Sequence, residues 1–226
     1  DIGTSYVKTV VGSINEDNKI DFEGVGRSKS LGMKRGVVID ISSTVDSIEK
    51  SIQEAEQLSG ERISSVYVSI SGNHIQSISA EGRAVISDQT EVTNQDLKSV
   101  EESAKAITLS NDQEILHLIP KDYVIDKQHG IKVPLGMSGT AIDGRYHLII
   151  GAKNARDNIE KCIKKCSINP ETVVLEQLAS SMSVLTEDEK ELGVCLVDMG
   201  GGTTDIAIYS NAVSYTHLRA HETSKH

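Results

Sequence analysis

Three consecutive glycines near the end of the chain restrict its fold more than any other feature. They lie in Asp198-Met199-Gly200-Gly201-Gly202-Thr203-Thr204-Asp205, with GVCLV before them and DIAIY after. The flanks have the length and β-branched character of strands, so the glycines must make a strand-to-strand turn. Without Cβ atoms, such a turn lets backbone N–H groups approach an anion and form a concave nest for phosphate. Asp198, at the strand end, is placed to hold a hydrated Mg²⁺, an ion that keeps most of its waters and accepts few carboxylates. A purely structural glycine hairpin is the competing reading of this segment alone.

The opening residues follow the same plan. Asp1-Ile2-Gly3-Thr4-Ser5, followed by Lys8, supplies an acid, a glycine, two hydroxyls and an outgoing strand. Two such turns facing each other can grip a polyphosphate from both sides. Lys8 then supplies a point charge and Asp1 joins Asp198 in ordering metal-bound water. Gly3, Thr4, Ser5, Gly200, Gly201, Gly202, Thr203 and Thr204 complete the phosphate contacts. Other phosphate motifs fail: there is no G-x-x-x-x-G-K-[ST], and Gly24-Val25-Gly26 has Lys29 where a dinucleotide fingerprint needs its third glycine. No G-x-S-x-G occurs either. His74, His117, His129 and His147 are scattered, and each reads as a surface or satisfied core histidine.

Between the two turns, strands alternate with helices. Ser5 to Ser13 and Ile20 to Arg27 read as strands. A helix begun by Ser43 and Asp46 carries Val45, Ile48, Ile52 and Ala55 on one face and stops at Gly60. Ser65 to Ile70 returns as a strand. After Gly72 the grammar changes. Two short strands (Ile75 to Ala80 and Arg83 to Ile86) precede a helix capped by Thr93 and Asp96, with Leu97, Val100, Ala104 and Ile107 as its stripe. Extended pieces at Leu116 to Ile119 and Tyr123 to Ile125, broken by Pro120 and Pro134, lead to a strand at Tyr146 to Ile150. A helix from Asn154, a strand at Thr172 to Leu175 and a helix at Leu178 to Leu185 follow. Glu187 to Glu191 reads as a solvated loop before the strand at Val194 to Val197. This order predicts an α/β fold, a sheet with helices on its faces, interrupted by an inserted subdomain.

Composition excludes several classes. Lys+Arg 23 against Asp+Glu 33 gives a net charge of -10, which repels phosphate backbones, so no nucleic-acid partner is expected. No apolar run approaches the ~18 residues of a membrane span. Three cysteines, Cys162, Cys166 and Cys195, fit reduced thiols of a cytoplasmic protein better than a disulfide framework. The start at Asp1 reads as internal to a longer frame. Residues 213–226, VSYTHLRAHETSKH, lack helical or strand periodicity and read as a non-native tail. Within them His221-Glu222 and His226 miss the zincin spacing by one residue.

The paired acid-glycine turns resemble the phosphate loops of the actin-like ATPase superfamily, which has a ribonuclease H-like fold. Further stretches sharpen the likeness: Gly24-Val25-Gly26 through Gly36-Val37-Val38, VYVSISGNHI, ILHLIPKDYVIDKQHGIKVPLGMSG and QLASSMSVLTEDEKELGVCLVDMGGGTTDIAIY. They resemble the FtsA family of bacterial cell-division proteins. The resemblance implies an actin-like ATPase half of mixed sheet and flanking helices. Residues 1–72 and 151–212 would be the two parts of subdomain 1A, and 73–150 an inserted α+β subdomain of the 1C type. It implies ATP and Mg as cofactors, with Glu176, at the start of Glu176-Gln177-Leu178-Ala179, positioning attacking water; the rival reading is a helix-terminal surface residue.

The resemblance also implies an ATP-binding protein with at most slow ATPase activity that forms filaments. It would bind FtsZ through a region absent here, recruit other division proteins through the 1C-like subdomain, and sit at the inner face of the cell membrane at the division site, held by a C-terminal helix also absent. The alternatives are a phosphotransferase of the sugar-kinase type and an actin-like pilus-assembly ATPase.

Overall fold

The computed structural model describes residues 1–87 and 90–210, and the backbone alone of 213–220. An antiparallel hairpin of β1 (Tyr6–Ile14) and β2 (Ile20–Lys29) opens the chain. Asn15 shapes its turn: Oδ1 accepts from the N–H groups of Asp17 and Lys19 at 3.1 and 2.9 Å. A short ribbon of β3 (Met33–Lys34) and β4 (Val37–Val38) leads into α1 (Ile41–Ser59). The cap of α1 is Asp40, three residues before the expected Ser43. Its carboxylate accepts the Ser43 N–H at 3.2 Å and the Ser43 hydroxyl at 3.0 Å, so the stronger acceptor takes the cap and Ser43 becomes its donor. Gly60, at φ 76°, ends the helix as expected. The hairpin lies close on α1 because Gly26 has no side chain, and a Cβ there would run into the Ser51 carbonyl.

β5 (Ser65–Ile70) precedes the insert, which is one sheet covered by one helix. Its elements are β6 (Gln76–Val85), α2 (Asn94–Lys105), β7 (Gln113–Ile125), β8 (Gln128–Ile131) and β9 (Ala141–Ala152), with sheet order β6-β9-β7-β8. The two expected short strands are one continuous β6. The two extended pieces are likewise one β7, which runs through Pro120 at a register irregularity against β9. Proline is tolerated there because an irregularity relieves the strand of a ladder donor. The capping box of α2 forms as read, but Ile107 falls beyond the helix end. Val100, Ala104, Ile86, Ile142 and Tyr146 fill this subdomain's own core.

The first grammar then resumes. α3 (Lys153–Lys165) packs with α1 over a core of Val7, Ile48, Ile52, Val68, Ile159 and Ile163. β10 (Asn169–Leu175) pairs parallel with β5, and α4 (Glu176–Val184) starts directly from its end. The acidic loop expected at Glu187 to Glu191 is a short helix, α5 (Glu187–Leu192), because Thr186 and Glu189 form a capping box; all its residues remain outside the core. β11 (Val194–Met199), β12 (Thr204–Ser210) and β13 (Val213–Ala220) make an antiparallel ribbon. Eight of the fourteen residues of the aperiodic tail are thus a strand, formed because backbone pairing along the edge of β12 needs no side-chain period. The remainder, 221–226, with the near-zincin histidines, lies outside the described residues.

The strands are both parallel and antiparallel, with α1 and α3 packed on them. The free edges of β1 and β5 face each other across an opening of about 440 Å³, lined by Ile48, Ile52 and Ile163. Among the described residues no helix is long and apolar enough to cross a membrane.

Candidate functional site

The two glycine turns meet. A Cβ on Gly201 would overlap the Ser5 hydroxyl, and one on Gly202 would press on Thr4. Glycine is required here by the contact between turns, since none of the three glycines 200–202 has a positive φ. The turns are internally braced: Gly3 N–H donates to Tyr6 O at 3.1 Å, Gly200 N–H to Thr203 O at 2.8 Å, and the Thr203 hydroxyl to Asp205 Oδ2 at 3.0 Å. Gly36, from the β3–β4 ribbon, donates its N–H to Thr4 Oγ1 at 3.2 Å.

A polar cleft of about 240 Å³ opens along this junction. Asp1, Gly3, Thr4, Ser5 and Lys8 line it from one side, and Asp198, Gly200, Gly201 and Thr203 from the other. Glu176 closes it from the first turn of α4. Two of the expected contacts do not line the cleft. Gly202 packs against Thr4, and Thr204 opens β12 opposite Met199.

Reciprocal hydrogen bonds fix Asp1 against Lys8: Lys8 N–H donates to Asp1 O and the Asp1 amine to Lys8 O, both at 2.9 Å. Lys8 Nζ stands 3.5 Å from Asp1 Oδ2. The Ser180 hydroxyl holds Asp198 Oδ2 at 2.9 Å. Burial pushes the Glu176 carboxyl above its ordinary range; a hydrogen bond with Ser71 opposes the shift, and the carboxylates of Asp198 and Asp205 add to it. Asp1 and Asp198 offer carboxylate oxygens to a hydrated cation, and the backbone turns with Lys8 offer donors to an anion, although the described residues contain no cluster of three or more side chains that would ligate a metal directly.

Several contributors escaped the sequence reading. Ser180 sits one helical turn after Glu176, and only that i,i+4 spacing signalled it. Arg27, on β2, and Ser71, just past the end of β5, reach the cleft from segments distant in sequence. His117, on β7 of the insert, accepts the Leu175 N–H at its Nε2 (2.9 Å), next to Glu176, and burial lowers its pKa and favours the neutral ring. The other histidines divide. His74 accepts the Ala152 N–H at 3.3 Å. His147 is 3% exposed and its ring nitrogens have no hydrogen-bond partner among the described residues, contrary to the satisfied core histidine expected. The cysteines are free: Cys162 buried, Cys166 half-buried with its pKa pushed up to about 11 by burial, and Cys195 exposed.

Comparison with known proteins decides the family. Residues 72–150 match the family profile described as the SHS2 domain inserted in FtsA. The cell division protein FtsA of Pseudomonas aeruginosa is 49% identical over 217 residues, covering 96% of this chain and 52% of that protein. FtsA of Neisseria meningitidis serogroup B is 45% identical over 219 residues, and that of Escherichia coli K12 is 42% identical over 210, covering 53% and 50% of those proteins and 96% and 93% of this chain. The chain belongs to the FtsA family. It spans about half the length of these curated relatives.

Solved structures agree on the fold. The PilM-PilN type IV pilus biogenesis complex matches with a TM-score of 0.67 at 14% identity, covering 96% of this chain and 59% of that one. The ethanolamine utilization protein EutJ from Carboxydothermus hydrogenoformans matches at 0.53 and 13%, covering 99% and 50%. At such identities the likeness speaks for the fold alone. This FtsA-family chain has an actin-like ATPase fold carrying the SHS2 insert.

Proposed function

We propose that this chain is the part of an FtsA division protein that holds one side of a Mg-ATP cleft and presents the insert to other proteins. The contact between the Ser5 and Gly201 turns, with carboxylates on both sides, carries the nucleotide half of the reading. Lys8 and the turn amides would bind the phosphates, and Asp1 and Asp198 would hold the hydrated metal. Mg²⁺, when bound, supplies charge compensation and an ordered water shell. Glu176 would orient a water and accept its proton only when ionised, which its raised pKa disfavours, so slow hydrolysis accords with this site.

In the whole protein, nucleotide binding would govern filament formation and partner binding. The protein would link FtsZ to the inner face of the cell membrane, as a peripheral component of the divisome during septum formation. FtsZ contact and membrane attachment belong to parts outside this chain. The relatives at 39–49% identity favour this reading over a sugar-kinase phosphotransferase or a pilus-assembly ATPase.

The insert can be tested as a module. It enters and leaves side by side, since Gln76 pairs with Ile150 across β6 and β9. Deleting residues 73–150 from the full-length protein and joining Gly72 to Gly151 should spare most Mg-ATP binding while abolishing filament assembly or partner recruitment. Pelleting assays with FtsZ, alongside nucleotide titration, read both. Lost nucleotide binding with intact assembly would reverse the assignment.

A further inference from the structure

Two cations line the cleft, and different groups hold them. Lys8 is paired with the Asp1 carboxylate at 3.5 Å. Arg27 is its neighbour across the β1–β2 ladder. The guanidinium of Arg27 lies over an aromatic ring, its carbon 3.6 Å from the Tyr6 centroid, and has no carboxylate partner among the described residues. Glu54, on α1, meets the backbone of Arg27: its Oε2 accepts the Arg27 N–H at 2.7 Å. The remaining charged side chains of the cleft, Asp1, Glu176 and Asp198, are acidic.

A guanidinium stacked on a ring keeps its edge donors free, and those donors match pairs of phosphate oxygens. Stacking also restricts the long side chain in advance, so less entropy is lost when an anion arrives. We infer that Arg27 is a second phosphate-contacting cation of this cleft, with Tyr6 as the platform that holds its guanidinium for the polyphosphate of a nucleotide. This rests on the Mg-ATP reading above and adds to it a residue that neither turn contains. The simpler alternative is that the Arg27–Tyr6 pair only covers the surface of the hairpin.

Calorimetric titration of the full-length protein with Mg-ATP, and separately with Mg-tripolyphosphate, separates these. Arg27→Ala should weaken both ligands about tenfold, the scale of one charge-assisted hydrogen bond. Arg27→Gln, which keeps much of the stem over the ring, should lose about as much, and Tyr6→Leu, which keeps the cation without its platform, about threefold. Wild-type affinity in Arg27→Gln, whatever the alanine variant does, overturns the inference and assigns the pair a structural role. Weakened ATP binding with unchanged tripolyphosphate binding overturns it as well, because the contact would then not be to phosphate. If the wild type binds neither ligand, the nucleotide reading falls and this inference falls with it; equal binding by wild type and both Arg27 variants removes the inference alone.

Discussion

Ser180 Oγ donates a 2.9 Å hydrogen bond to Oδ2 of Asp198, tying the middle of α4 to the end of β11. Glu176 stands one turn earlier on the same helix, so α4 sets two acidic positions of the cleft at once. The bond occupies Oδ2 of Asp198, so under the Mg-ATP proposal Oδ1 is the oxygen left for the hydrated metal.

Removing either member should therefore act on Mg-ATP binding in a graded way. Asp198→Ala should weaken it by at least about tenfold and Ser180→Ala by about threefold, in line with the loss of a charged ligand against the loss of one supporting hydrogen bond. Ser180→Thr should restore most of the difference. Titration calorimetry across several Mg²⁺ concentrations checks this, and unchanged affinity in Asp198→Ala would count decisively against the cleft.

The contact between turns predicts a compensating pair. Gly201→Ala places a methyl on the Ser5 side chain and should push the turns apart, weakening Mg-ATP binding about tenfold. Adding Ser5→Gly removes the obstructing hydroxymethyl and should recover part of that loss. A double-mutant cycle with no coupling would show that the turns do not touch.

Glu176 predicts a pH effect with a defined sign. Its carboxyl, raised mainly by burial above 4.5, keeps its proton longer in the folded than in the unfolded chain. Its contribution to stability therefore falls as pH rises from about 4.5 through the folded value. Glu176→Gln should flatten this fall and melt at a higher temperature than wild type at pH 8. Parallel pH dependences of the two proteins in denaturant titrations would show that the carboxyl is not buried as described.

His117 carries the opposite sign. Burial lowers its pKa below 6.5, and the neutral Nε2 accepts the Leu175 N–H. The contribution of this bond is present above about pH 6.5 and is lost as pH falls through the lower folded value. His117→Ala should cost about 1–2 kcal/mol at pH 7.5 and less at pH 5, since the bond is already lost in wild type at low pH. Denaturant unfolding at the two pH values measures the difference; an equal cost at both would mean that the ring only fills space.

The local elements were mostly legible because their causes are local. Gly60, the Thr93–Asp96 box and the apolar stripes of α1 and α2 could be read along the chain. The errors fell where two local signals compete or where a distant partner decides. Ser43 and Asp40 are both good caps, and only the backbone path selects Asp40. Pro120 reads as a breaker along the chain, yet pairing with β9 carries the strand through it. The Thr186–Glu189 box was masked by the charge of the segment that follows.

The two acid-glycine turns, the family and the insert are legible along the chain, because turn chemistry and apolar periodicity are written residue by residue. How the turns meet, and what else reaches them, comes from the three-dimensional packing. Ser5 against Gly201, Ser180 on Asp198, Arg27 over Tyr6 and His117 beneath Leu175 join residues whose encounter depends on sheet register and helix packing. Those are set by burial across the whole fold, a long-range property that no short window of sequence carries.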